Sequence, residues 1–120
     1  MKKSAFILIC VCVTACNKDK EIKDLLNGPT SVDRIQGCYE AMETDDLSYV
    51  PLLLKNSRIQ LITTNIRFKG TSVYQADMYS LSKLLKVSPP HPVNRIVDSV
   101  NVRFFFNYWE KFQKTHPRKR

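Results

Sequence analysis

The chain has 120 residues, 25% charged and 43% hydrophobic, with 19 basic residues against 11 acidic and a formal charge of +8. That length sets one domain, and the apolar fraction is too high for a wholly disordered chain. Three glycines and six prolines exclude collagen-like and Gly/Ser-rich low complexity, and they leave no glycine-rich loop of the kind that cradles a phosphate or a dinucleotide.

Met1-Lys2-Lys3 is a short basic start, followed from Ala5 to Ala15 by an almost purely apolar run. Its length fits the apolar core of a secretory signal, about 7–15 residues. As a helix it would reach about 16 Å, too short to cross a bilayer core of about 30 Å. The run ends Val13-Thr14-Ala15-Cys16, and the chain turns polar at once with Asn17-Lys18-Asp19-Lys20-Glu21. Val13-Thr14-Ala15-Cys16 resembles the lipobox of bacterial lipoproteins, an aliphatic residue and two small residues before a cysteine. The resemblance implies a signal peptide over 1–15, cleavage before Cys16, a diacylglyceryl thioether on the Cys16 thiol, and acylation of its new amino group. Only a thiolate is nucleophile enough to take the lipid there, and two or more acyl chains give stable anchoring. The competing reading is an ordinary secretory signal with a soluble product. Asn17 after the lipidated position leans toward the outer membrane, since aspartate there is the inner-membrane retention signal of that family.

Residues 16–30 are read as a tether, polar and lysine-rich from Asn17 to Lys23. Ile22, Leu25 and Leu26 allow one or two helical turns in it, stopped by Asn27-Gly28-Pro29. A helical domain is predicted over 31–115. Its first helix has Ser31 as N-cap and a stripe of Val32, Ile35, Cys38, Tyr39 and Met42 at helical spacing, ending near Glu43-Thr44. Gly37 within it costs about 1 kcal/mol of helix propensity but lets a neighbouring helix come close. The next helix is predicted with Ser48 as N-cap and Pro51 in its first turn, facing Val50, Leu53 and Leu54 inward and closing at Asn56-Ser57. Residues 58–69 are read as a packed loop or a short helix. A strand is the alternative, although no second strand-like run exists to pair with it.

Ser72-x-x-Gln75 is a capping box opening a helix with Tyr74, Met78, Leu81 and Leu85 as its stripe, ended by Ser88-Pro89-Pro90. Asp98 caps the last helix, where Val102, Phe105, Trp109 and Phe112 share a face and His116-Pro117 ends it. Six of the twelve aromatic residues fall between Phe104 and Phe112. Trp109 is expected to pack against the Val73–Leu85 helix. Phe106 falls on the opposite side, exposed at a possible partner surface. Residues 116–120 form a basic tail. The last ten residues hold Lys111, Lys114, Arg118, Lys119 and Arg120 and no acid. The tail is read as a solvated end, with contact to anionic headgroups as the alternative.

Asp46 to Lys55 followed by Val73 to Leu85 resembles a HEAT-type helical repeat, which implies an antiparallel α-hairpin core and a protein-binding habit. The fold class is therefore all-α.

Removing residues 1–15 takes Cys10 and Cys12, and Cys16 is spent on lipid. Cys38 is then a lone thiol on an apolar helix face, read as buried and inert. The two histidines, His91 and His116, each precede a proline. No histidine pair and no Cys/His cluster has metal-ligand spacing, so no catalytic or metal residue, and no cofactor, is assigned. Glu43, Asp45 and Asp46 read as a solvated helix junction, and Asp77 as a surface residue able to pair with Lys or Arg. The basic excess sits in the tail rather than over a face, which argues against nucleic acid. The expectation is a non-enzymatic, lipid-anchored envelope protein that binds another protein, with an immunity role against a periplasmic toxin as its specific version. A small periplasmic enzyme or an accessory subunit of an envelope complex is the alternative.

Overall fold

The computed structural model describes residues 17–59, 61–63 and 68–117, and these are all-α. Five α-helices occur among them: α1 over residues 17–26, α2 Ser31–Thr44, α3 Val50–Asn56, α4 Val73–Leu85 and α5 Ser99–Thr115, with a 3-10 turn, Leu47–Tyr49, leading into α3. Residues 1–15, where the signal peptide is expected, Cys16, and residues 118–120 of the expected basic tail lie outside the described residues.

α4 is the central helix. Nine of its thirteen residues are buried, and it packs against α2, α3 and α5. Ile35, Cys38 and Ala41 of α2, Leu53 of α3, Met78 and Leu81 of α4, and Val102 and Phe105 of α5 form one core. Residues three and four apart share one side of a helix. The stripe expected for α4 is fully buried, and that of α5 is buried but for a half-buried Phe112; in α2, Ile35 and Cys38 are buried while Val32, Tyr39 and Met42 are half-buried.

The segment expected as a tether is a correction. Residues 17–26 form α1, and Ile22 and Leu26 are completely buried in the core. Ile22, Leu25 and Leu26 signal only one or two turns by themselves, fewer apolar positions than an amphipathic surface helix usually carries, so the polar composition favoured a tether. Gly37 is what admits the helix. A β-carbon there would lie 2.9 Å from the Leu26 backbone nitrogen and 3.0 Å from its side chain. The neighbour predicted to approach Gly37 is thus α1. The turn between the two helices is held by polar groups. Arg34 donates to Gly28 O at 2.8 Å and to Asn56 Oδ1 at 2.9 Å, and Asn56 Nδ2 donates to Leu26 O at 2.8 Å. At the end of α1, Lys23 O and Leu25 O accept locally from Asn27 N and Gly28 N, whereas Leu26 O and the Gly28 O that follows the helix are satisfied from α3 and α2.

The helix ends are local chemistry. Thr30, not Ser31, caps α2, accepting from Asp33 N at 3.1 Å. Asp46 caps the 3-10 turn through Ser48 N at 2.9 Å, so Ser48 is a member of that turn rather than the cap of α3. Asp98 caps α5 by accepting from Val100 N at 2.9 Å and Asn101 N at 3.4 Å. Asp45 and Lys86 end α2 and α4 in the left-handed region, each with φ of 57°.

The capping box forms by half. Ser72 Oγ accepts from Gln75 N at 3.0 Å, but Gln75 Oε1 has no hydrogen-bond partner. The other donors of the first turn go to the preceding loop: Val73 N donates to Leu61 O at 2.9 Å and Tyr74 N to Ile59 O at 2.8 Å. The expected packed loop is thereby tied to α4. It makes one isolated antiparallel bridge, Ile62 to Ser72, and no strand occurs among the described residues.

Candidate functional site

The outer surface of α5 carries the site. Phe106, Trp109, Glu110 and Gln113 follow one another at helical spacing and, with Pro51, Leu54 and Lys55 of α3, line a depression of about 430 Å³. A second depression of about 640 Å³ adjoins it, lined by Trp109, Phe112, Gln113 and His116 together with Asp46, Leu47 and Ser48. Trp109 and Gln113 belong to both. The rings of Trp109 and Phe112 stack at 5.4 Å with 10° between planes, and Phe112 and His116 stack at 4.2 Å with 11°. Side chains at i and i+3 of a helix are neighbours, so Trp109 and Phe112 meet by spacing; His116, just past the helix with φ of −129°, joins the column with its Nδ1 2.8 Å from Thr115 Oγ1 and 3.2 Å from Phe112 O. It is bordered by the acid Asp46, the amide Gln113 and the hydroxyl Ser48; aromatic rings are enriched in protein interfaces and polar groups form their rim.

One expectation for this helix is revised. Phe106 is exposed as predicted, at 43%, but it does not lie opposite Trp109; both line the depression facing α3. Trp109 is buried as predicted, at 9% exposure, in one core with residues of α4; where it borders the two depressions, its neighbours there belong to the 3-10 turn and α3. The short 3-10 turn swings α3 under α5, a placement that spacing within α5 cannot show.

A polar network lies at the other end of α5. Asn101 is fully buried, accepts from His91 N at 2.9 Å and donates to His91 O at 3.2 Å and to the Tyr74 hydroxyl at 3.1 Å. It fixes the residue-91 backbone in both directions. His91 Nδ1 lies 2.8 Å from Asp98 Oδ2. That contact, with the two backbone N–H groups it caps, holds the Asp98 carboxyl below its ordinary value. Asp98 is thus occupied in structure, holding a loop and a helix end. Beside it Ile96 is 66% exposed and Val100 42%, apolar residues outside the helical stripes that sequence reading follows.

Asp77 overturns its expectation. It is fully buried, and neither carboxyl oxygen has a hydrogen-bond partner, so it pairs with no surface cation. Burial pushes its pKa well above the ordinary carboxylate value, and the group is held as the neutral acid, because an unpaired buried charge is far costlier than a proton. It faces α2, where Cys38 is equally buried and its thiol is pushed up by burial and then by Asp77. Cys38 is therefore the buried, unreactive thiol expected. Ser80 Oγ donates to Cys38 O at 2.9 Å across the α2–α4 contact.

Cys16, the predicted lipidation site, lies outside the described residues. No group of three or more His, Cys, Asp or Glu among the described residues could hold a metal ion, and no described helix is long and apolar enough to cross a membrane. The chain matches no family model, no curated protein and no solved structure.

Proposed function

We propose that this chain is a non-enzymatic lipoprotein of the bacterial envelope, anchored through acylated Cys16 and binding another protein through the α3–α5 surface around Phe106 and Trp109. The observation that carries the anchor is the Val13-Thr14-Ala15-Cys16 sequence after a basic start and an apolar run. Binding is supported by the exposed Phe106 and the two adjoining depressions that share Trp109. A partly exposed aromatic residue beside an aromatic column, with charged residues Lys55 and Glu110 at its edge, has the layout of an interface core and rim. The HEAT-like resemblance of Asp46 to Leu85 points the same way. A small anchored domain that works by contact alone suits an immunity protein, which needs only to cover a toxin as it enters the envelope. Asn17 favours the outer membrane.

Two measurements test the reading. In a bacterial host, Cys16→Ser should abolish labelled palmitate incorporation and leave the precursor uncut; wild-type labelling of that variant would sink the anchor. A photo-crosslinking residue at Phe106 should trap a discrete protein adduct in cells, while the same residue at Lys23, on the outside of α1, should not. Equal adducts at both positions would remove the α3–α5 surface as the binding face.

A further inference from the structure

Charge is spread unevenly along the chain. Eight of the eleven acids fall within residues 17–46, and residues 47–109 hold only Asp77 and Asp98 against eight Lys and Arg. Asp77 is buried, and Asp98 is engaged with His91 and two backbone N–H groups. The fold gathers part of this basic excess at one end. Ser80 meets Cys38 O and Lys83 pairs with Glu43 at 3.8 Å, so α2 and α4 run the same way. Asn101 meets the Tyr74 hydroxyl near the start of α5 and α4, and Phe112 shares a depression with Leu84 and Leu85 near their ends, so α5 runs with them. The amino ends of α4 and α5 therefore lie together, and the loops that precede them meet: a β-carbon at Gly70 would lie 4.0 Å from Arg95 Nη1. Arg58, Lys69 and Arg95 stand on these loops and Arg103 on the second turn of α5, all exposed. Among the described residues none of the four forms an ion pair. Four of the six large apolar side chains exposed among the described residues, Leu61, Ile62, Ile96 and Val100, belong to the same end. Their backbone is held in place: Leu61 O accepts from Val73 N, Thr63 N donates to Thr71 O, and Asn94 Oδ1 accepts from Ile96 N at 2.8 Å. Apolar side chains gathered at the surface mark an interaction site.

We propose that this end of the domain, through Leu61, Ile62, Ile96 and Val100 with Arg95 and Arg103, binds a protein whose contacting surface is acidic around an apolar centre. The inference deepens the protein-binding reading and rests on it. Val100, Arg103 and Phe106 follow one another three residues apart on α5, so each is a neighbour of the next and the surface is continuous with the one around Phe106. Charge complementarity names the partner. Cations that no acid of the domain neutralises attract carboxylates during the encounter and disfavour basic partners, and the aliphatic side chains need an apolar counterpart. The acids nearest the same end on the other side, Asp24 and Asp33, lie in a separate depression at the α1–α2 turn with Gly28 and Pro29. A bilayer fits less well. The exposed apolar set holds no Trp or Tyr, the residues that suit a headgroup layer. The start of α1 lies at the opposite end, where Asp19 meets Tyr49 and Lys18 meets Glu40, so a chain anchored ahead of Asn17 turns this surface away from the membrane.

The test places a photo-crosslinking residue at Ile96 of the full chain in its native cells and identifies the crosslinked segment by mass spectrometry. The expected adduct is one protein, joined within a stretch that carries both Asp or Glu and aliphatic residues. Arg95→Glu with Arg103→Glu should cut the adduct yield at least about tenfold, whereas Arg95→Lys with Arg103→Lys, which keeps the charge, should retain most of it. Both arginines are exposed and unpaired, so all these variants should melt as the wild type does. An equal yield in the Glu variant, a contact segment without acids, label on phospholipid, or no adduct at Ile96 overturns the proposal. Adducts from a probe at Phe106 with none at Ile96 leave the α3–α5 binding face standing, and none at either position overturns both.

Discussion

Asp77 is the residue that departs furthest from what its chemistry prefers. A carboxyl without a hydrogen-bond partner at a helix–helix contact is stable only with its proton. Its folded pKa is raised by burial, whereas the unfolded chain holds it near 3.9. Above that unfolded value the folded state keeps a proton that the unfolded state releases, so stability falls as pH rises toward the folded value. One such proton changes stability by at most about 1.4 kcal/mol per pH unit. Thermal melts from pH 4 to pH 8 should show a falling midpoint for the wild type. Asp77→Asn, which keeps the shape and cannot ionise, should match the wild type near pH 4 and melt higher at pH 8. A variant that melts lower than the wild type across the range would mean that the carboxylate has a stabilising partner at α2–α4.

At the scale of the element, α5 carries two kinds of aromatic residue on one helix. Val102 and Phe105 are fully buried, Trp109 nearly so, and Phe106 is 43% exposed. Truncating a buried aromatic to alanine costs about 3–5 kcal/mol, a large share of the 5–15 kcal/mol or so that stabilises a small domain. Phe106→Ala removes a half-solvated ring and should cost less than about 1 kcal/mol. Urea unfolding, followed by circular dichroism because Trp109 is itself changed, should therefore show Trp109→Ala unfolded or close to it and Phe106→Ala near the wild type. A large loss for Phe106→Ala would place that ring in the core and end its use as a binding probe. The same helix shows how caps work at a distance. Asp98 ends the loop, starts α5 and meets His91, so one side chain settles where the helix begins and where residues 91–97 lie.

For the whole molecule the decisive feature is α1. With Ile22 and Leu26 in the core and Leu26 O and Gly28 O taken by Asn56 and Arg34, residues 17–26 belong to the domain and are no free spacer. A soluble form beginning at Asn17 should give a helical circular dichroism spectrum and a cooperative melt. One beginning at Ser31 exposes the surface that α1 covers, leaves Asn56 short of an acceptor, and should melt at least about 10 °C lower or lose its cooperative transition. Equal melting of the two forms would return residues 17–26 to the role of a tether.

The all-α class, the bounds of α2 and α4 to within a residue, the Asp98 cap and the exposure of Phe106 were legible in the sequence, because each depends on neighbours three or four positions away along one chain. Spacing along a helix also put Trp109 and Phe112 on one face, while the stacking of His116 on Phe112 came from the structure. Three features came only from tertiary structure: α1 as part of the core, Asp77 as a buried acid, and the depressions shared by α3, the 3-10 turn and α5. The polar sequence of 17–26 gives no sign that two apolar residues meet Gly37. Asp77 lies three positions from Tyr74 and four from Leu81, on the buried face of α4; its residue type argued for the surface, and only the packing of α2 over α4 shows a carboxyl there without a partner. The surface around Phe106 exists only because the turn at Leu47–Tyr49 brings α3 under a helix fifty residues or so further on, and pairing at that separation is settled by how the apolar faces pack together rather than by any local preference.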